Sequence, residues 1–492
     1  MRSTTRRGVR VLALAALVAL VAACEGSWEK TANPSPVRAV HAALLRTGKV
    51  LLIAGSGNSV DEFAAGSFKT AVYDPTTDTF RSDITTPYDL FCGGHAFLPD
   101  GRLLVVGGTG AYDDGSGGYI GEKRVRIFNP VSETYQNAPD MAIGRWYPTV
   151  VSKGNGTLVA TAGYDEKRQH SNTFQIFDPV SQSWSANRPL GNPAPGGVGI
   201  YSPLYPSFHL MANGNLFYSG MHAWALGPGT SPYIWNTDTN TVQWLDNNID
   251  VDRRDQGASV LLPPAQDQKV MIIGGDGVAS TAVIDLKDPN PRYVEGPPID
   301  AGKMYVSAVI LPDGRVLQTG GTDGWRENPD VQYVRSSQIL DPKTMTWTKV
   351  PDATVDRTYH SGALLLPDGR VLTFGGDPIG GSYQMDVEIY SPGYMSQTRP
   401  QITSAPLNVT YGSAFTVRTD TPVGSAVLIR PSAVTHSSDS DQRSVDLAVA
   451  PGATSTQLTI PANPNLTPPG WYMLFVRDAD GVPSVARWVK VA

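Results

Sequence analysis

The sequence predicts an all-β chain: a seven-bladed β-propeller over residues 25–396, followed by a C-terminal Ig-like β-sandwich over residues 397–492. Three observations predict it. A pattern of short apolar runs and glycine turns recurs seven times. The 50 glycines and 39 prolines favour turns over long helices. After Arg399 the repeat gives way to simple alternation of apolar and polar residues. A chain of 492 residues also exceeds one simple core, so a repeat array with a second domain is expected.

The first element is residues 1–24. Basic MRSTTRRGVR precedes the apolar run VLALAALVALVAA, which ends at Cys24. A charged region, a short apolar region and small residues, in that order, describe an export signal too short for an ordinary membrane span. VAAC resembles the lipobox of bacterial lipoproteins, and Arg6-Arg7 loosely matches a twin-arginine signal. The protein is therefore expected to be exported, as a cell-surface lipoprotein or an extracellular protein. It would touch membrane only through that N-terminal lipid. Cys24 is then unavailable to Cys92, the only other cysteine, which is left without a disulfide partner.

The blades come next. Their copies begin HAALLRTGKVLLIAGSG at 41, CGGHAFLPDGRLLVVGGTG at 92 and YPTVVSKGNGTLVATAGYD at 147. They continue at 205, 256, 305 and 359, a spacing of about 35 to 60 residues. Each has an apolar run, a turn such as PDGR, a second run ending near GG, a variable loop and a third run such as AVYDPTTDTF or SQILDPKTMTW. The GG pairs resemble the kelch repeat. The seventh copy ends at VEIYSPGY without a fourth strand, whereas GSWEKTANP near the N-terminus has the form of an orphan one. Trp28 and its neighbours are expected to close blade seven and remove two exposed edges. The last element, QITSAPLNVTYGSAFTVRTD onward, carries turn signals about every dozen residues, as a small antiparallel sandwich would.

Charge excludes one partner class. A net charge of −6 without a basic run does not suit nucleic acid. The register of the repeats brings reactive side chains together. Eight residues before the turn residues Asp100, Asn155, Asn213, Asp313 and Asp368 stand Cys92, Tyr147, Tyr205, Tyr305 and His360, with Tyr359 one residue earlier. A thiol, phenols and an imidazole thus fall at equivalent places around one axial mouth. His436, in the loop RPSAVTHSSDSDQR, is a further candidate. Imidazole and phenolate donors suit copper or iron better than magnesium or calcium. No HExxH, GxSxG, P-loop or CxxC motif competes.

FCGGH, RWYP, RTYHSG and VTHS resemble, in order and fold position, the motifs of galactose oxidase and glyoxal oxidase, the mononuclear copper radical oxidases. The fit is closest to the glyoxal oxidase-like bacterial branch. The resemblance implies one copper ion and a thioether joining Cys92 to the ring of Tyr147, which would be copper ligand and radical site. It implies Tyr359 as axial ligand and proton acceptor, and His360 and His436 as imidazole ligands. Cys92, Tyr147 and Tyr359 would be catalytic. The substrate would be a small primary alcohol or aldehyde, or a cell-surface glycan, oxidised with reduction of dioxygen to hydrogen peroxide by a monomer. One departure is plain: TAGYDEKRQH lacks the tryptophan that follows a GG pair in galactose oxidase. Tyr164, Tyr305 or Trp325 is expected to take its place. A non-catalytic kelch-type lipoprotein that binds glycan or protein is the alternative.

Overall fold

In five of the seven copies the turn between the first two apolar runs is fixed by one side chain. Asp100, Asn155, Asn213, Asp313 and Asp368 each accept a hydrogen bond from the backbone N–H two residues on, at 2.9–3.1 Å. This local bond pre-forms the reversal. The flanking runs therefore pair as antiparallel strands whose side chains are almost wholly buried.

The computed structural model describes residues 26–492 apart from residues 116, 193–198, 225–230, 247–253, 378, 381, 451 and 453. The expected export signal and Cys24 lie outside the described residues. Seven sheets form the propeller, with inner strands His41–Leu44, Gly94–Phe97, Thr149–Ser152, Phe208–Leu210, Ala258–Leu261, Ser307–Ile310 and Ser361–Leu365. Outer strands such as Thr79–Thr85 and Thr241–Trp244 are mostly exposed. The expected closure is present. Ser27–Lys30 is the fourth strand of blade seven, with Trp28 opposite Tyr390.

Fourth-strand tryptophans also staple neighbouring blades. The indole N–H of Trp28 donates to the carbonyl of Pro351 at 2.8 Å, that of Trp184 to Pro139 at 2.8 Å and that of Trp347 to Pro297 at 2.9 Å. In each case the carbonyl follows the outer strand of the preceding blade. One indole thus supplies apolar cover and a satisfied donor at the same seam.

The C-terminal domain differs in detail from two separate facing sheets. Its eight strands form one continuous ladder, because Arg443–Ala450 pairs with Ser425–Arg430 along its first part and with Ser455–Thr459 at its end. One long strand turns the corner between the layers. The loop expected around His436 is a hairpin, Ala433–Thr435 and Ser438–Asp439, that leaves this domain and adds to blade one. His41 pairs with Thr435, Ala42 with Val434 and Ala43 with Ala433. Blade one therefore has six strands. Gly362 in blade seven makes room for it: a Cβ there would stand 3.0 Å from Val434 Cγ1 and 2.6 Å from the Phe374 ring.

Replacing Trp28 by alanine removes the staple and the half-buried contact with Tyr390, whose ring lies 4.9 Å away. A loss of about 2 kcal/mol is expected. It would be read as a lower thermal midpoint, with spectroscopic signatures of the native fold retained below the transition.

Candidate metal centre

Where a rim loop turns into an inner strand, the backbone takes a left-handed conformation. Cys92, Tyr147, Tyr205, Gln256, Tyr305 and His360 all have φ between 45° and 65°. None is glycine, so each position costs on the order of 1–2 kcal/mol. Backbone bonds tie these junctions together. Tyr147 N–H donates to Cys92 O at 2.8 Å, Tyr205 N–H to Tyr147 O at 3.0 Å and Tyr305 N–H to Gln256 O at 2.7 Å. Gln256 occupies the same register in blade five; it escapes a sequence alignment anchored on turn Asp or Asn because that copy's turn reads PPAQDQK. Gly94 lets the collar close, since a Cβ there would stand 2.8 Å from Pro148 O of the next blade.

The structure brings all five expected residues into one buried cluster. Tyr147 and Tyr359 meet hydroxyl to hydroxyl. His436 Nε2 lies 3.0 Å and His360 Nε2 3.4 Å from the Tyr147 hydroxyl. The Cys92 sulfur is within 4.8 Å of ring nitrogens of both histidines, and Cys92 and Tyr147 are buried in the same cluster. His436 arrives on the hairpin described above, at a two-residue tip where His436 and Ser437 both have positive φ. That tip favours Asn-Gly, so a histidine there is a locally poor choice.

Each imidazole is held from behind. His436 Nδ1 bonds the Thr435 hydroxyl at 2.6 Å, and His360 Nδ1 faces Asp377 Oδ2 at 3.1 Å. Both Nε2 atoms are thereby presented to the centre. Asp377 also accepts from Asn58 Nδ2 at 2.6 Å and Arg326 Nη1 at 3.0 Å. Burial pushes its carboxyl up, but His360, then Arg326 and Asn58, outweigh that and hold it below the ordinary carboxylate range. Nothing in the sequence marks Asp377 beyond its place after the GG of blade seven.

Burial drives Cys92, Tyr147 and Tyr359 well above their ordinary pKa values, and their mutual proximity adds to it in the two phenols. On their own the three groups keep their protons. A bound cation is what would draw them off. Two imidazoles and two phenols converging in a buried pocket fit copper: the nitrogens suit it, and two oxyanions would balance a divalent charge.

The aromatic surroundings correct one expectation. Trp224 lies parallel to Tyr147, at 5.9 Å and 12°, and Trp146 and Tyr205 touch the ring at 3.9 and 4.5 Å. Tyr164 packs on Trp146, Tyr305 on Tyr359, and Trp325 on Trp224. Trp224 follows the second strand of blade four, whereas TAGYDEKRQH is in blade three, so the indole comes from an adjacent blade. Tyr205 is no donor to the centre, because its hydroxyl binds Gly93 O at 2.6 Å and steadies the FCGGH turn.

Fold and site define a class: a seven-bladed propeller with two imidazoles and two phenols converging at its axial mouth, completed by a C-terminal domain. Residues 66–394 match the family described as glyoxal oxidase N-terminus, and residues 399–491 the galactose oxidase-like early set domain. Similar proteins include galactose oxidase of Gibberella zeae, 26% identical over 95% of this chain and 70% of that protein. Aldehyde oxidase GLOX of Vitis pseudoreticulata is 27% identical over 97% of this chain and 99% of its own length. Among solved structures, a fungal alcohol oxidase of the AA5 family in complex with copper shares the fold, with a TM-score of 0.81. It is 24% identical and covers 95% of this chain and 100% of its own. The chain belongs to the galactose oxidase and glyoxal oxidase family of copper radical oxidases.

Asp377→Asn removes the charge behind His360 and is expected to weaken copper binding by about 10- to 100-fold. Titration of the metal-free protein with Cu(II) checks this, and His360→Ala with His436→Ala should abolish the tight site altogether.

Proposed function

We propose that the protein is a copper radical oxidase acting on primary alcohols or aldehydes, with reduction of dioxygen to hydrogen peroxide. The observation that carries this reading is the convergence of Tyr147, Tyr359, His360 and His436 on one point, with Cys92 buried in the same cluster. Those four residues would hold the metal. Copper supplies a Lewis acid and a one-electron acceptor there. Tyr359 would take the hydroxyl proton of an alcohol or hydrated aldehyde. Tyr147, once joined to Cys92 through a thioether, would take hydrogen from the adjacent carbon. The Trp224 ring beside it limits access of water to the oxidised phenol. Family membership supports the reaction type, since the relatives named above are a galactose oxidase and an aldehyde oxidase.

The substrate is proposed as a small alcohol or aldehyde or a cell-surface glycan, taken by an exported monomer tethered through Cys24. The placement near a bacterial branch rests on the fit of the motifs alone, and the relatives named above are fungal and plant proteins. Among the described residues no helix is long and apolar enough to cross a membrane. If the tether is the lipidated cysteine, Cys24→Ala moves the protein from the membrane fraction to the soluble fraction. Unchanged partition would overturn that part.

Cys92 admits a second use, as a third metal ligand beside the two histidines. Forming a C–S bond removes two hydrogens, so aerobic copper loading should lighten the polypeptide by about 2 Da and block alkylation of Cys92. The Cys92 and Tyr147 peptides should then stay joined under reducing agent. Cys92→Ser should lose the link and most peroxide production while remaining folded. A thiol that stays fully alkylatable after loading and metal removal sinks the oxidase reading in favour of a propeller that only binds.

A further inference from the structure

The turn that carries Cys92 is held at every backbone polar atom from Phe91 to Gly93. Phe91 N–H donates to Asp89 Oδ1 at 2.9 Å, and its carbonyl accepts from the Thr109 hydroxyl at 2.9 Å. Cys92 O accepts from Tyr147 N–H, Gly93 O from the Tyr205 hydroxyl, and Gly93 N–H donates to Leu90 O at 3.0 Å. The remaining atom, the Cys92 N–H, donates to Nε2 of His41 at 3.2 Å. His41 is 1% exposed and opens the inner strand of blade one, whereas Cys92 belongs to blade two.

An amide N–H can only donate, so Nε2 must accept and the ring proton of neutral His41 sits on Nδ1. Among the described residues that Nδ1 has no hydrogen-bond partner. Neither ring nitrogen of His95 has one, although its ring meets His41 edge-on at 5.2 Å and 85°. A buried polar atom without a partner carries a desolvation cost that an apolar ring in the same space would avoid. What the imidazole adds at position 41 is the acceptor for Cys92. The same residue pairs with Thr435, next to His436, whose ring lies 6.1 Å from that of His41. His41 thus stands between the cysteine and the hairpin that brings in one of the candidate ligands.

We propose that His41 is a positioning residue for the Cys92–Tyr147 bond: its Nε2 fixes the Cys92 amide, and with it the left-handed turn, φ 60°, that sets the direction of the thiol. This rests on the thioether reading given above. His41 itself exchanges no electron or proton. In the step it serves, the Cys92 S–H and one ring C–H of Tyr147 break and one C–S bond forms. Two electrons and two protons leave for dioxygen, which becomes hydrogen peroxide. The rate of that step follows the fraction of time the sulfur is held at reacting distance from the ring.

The test loads metal-free protein with excess Cu(II) in air and follows the loss of about 2 Da from the polypeptide over time. His41→Gln puts an amide oxygen where Nε2 stood, whereas His41→Phe keeps a ring and has no acceptor. Linkage should run within about twofold of wild type in His41→Gln and about tenfold or more slower in His41→Phe. A residue that only fills space predicts the reverse order, because phenylalanine replaces the ring better. A second readout needs no copper. Hydrogen exchange at the Cys92 amide of metal-free protein, read by mass spectrometry of peptides spanning residues 90–94, should speed about tenfold in His41→Phe and return towards wild type in His41→Gln. If His41→Phe does not fold, His41→Asn takes its place with the same expectation, since its amide reaches only the Nδ1 position. Equal linkage rates in all three proteins, or faster linkage in His41→Phe than in His41→Gln, overturn the proposal. If wild-type protein never forms the link and the exchange pattern holds, His41 stands as the clamp on Cys92 and the thioether reading falls.

Discussion

A seven-bladed ring leaves a hole along its axis, and how this chain fills that hole governs everything above it. The hairpin from the C-terminal domain pairs with blade one and carries His436 to the mouth. Its base is fixed by a fully buried ion pair: Arg430 Nε meets Asp441 Oδ1 at 3.0 Å. The propeller supplies the remaining partners, with Phe97 N–H donating to Asp441 Oδ2 at 2.8 Å and the Ser152 hydroxyl to Oδ1 at 3.0 Å. Breaking a pair of this kind by removing one partner costs about 3–5 kcal/mol, because the other charge is stranded. The two domains are therefore parts of one site, and the position of one imidazole depends on a contact deep in the channel.

The collar at the mouth shows the opposite economy of structure. Six left-handed junctions carry side chains where glycine would be less strained. Three of them, Cys92, Tyr147 and His360, belong to the cluster. The others, Tyr205, Gln256 and Tyr305, brace it through ring contacts and backbone bonds. Strain held in this way persists only where surrounding structure fixes it, and here each junction is bonded to a neighbouring blade or packed against the cluster.

Much of this was legible in the sequence because it repeats. The turn Asp or Asn marks register, so counting back eight residues finds Cys92, Tyr147 and His360 without any structure. The missing fourth strand of blade seven pointed to Trp28 in the same way. Long-range docking was not legible. The strand pairing of the His436 loop with blade one depends on a partner almost 400 residues away, and local pattern carries no trace of it. Trp224 and Asp377 escaped for a related reason: both sit in loops after second strands, where no repeat constrains the residue and only spatial neighbours give it meaning.

Blade seven, which carries Tyr359 and His360, is also the blade assembled from both ends of the propeller. Its outer strand Ser27–Lys30 pairs with Glu388–Ser391 across some 360 residues of intervening chain. Contacts of such sequence separation form late, because their loop-closure entropy is met only once intermediate structure has shortened the path. Completion of the metal pocket therefore needs a pairing between the two ends of the propeller, and the sheet that carries two of its side chains is edged by one short, largely exposed strand.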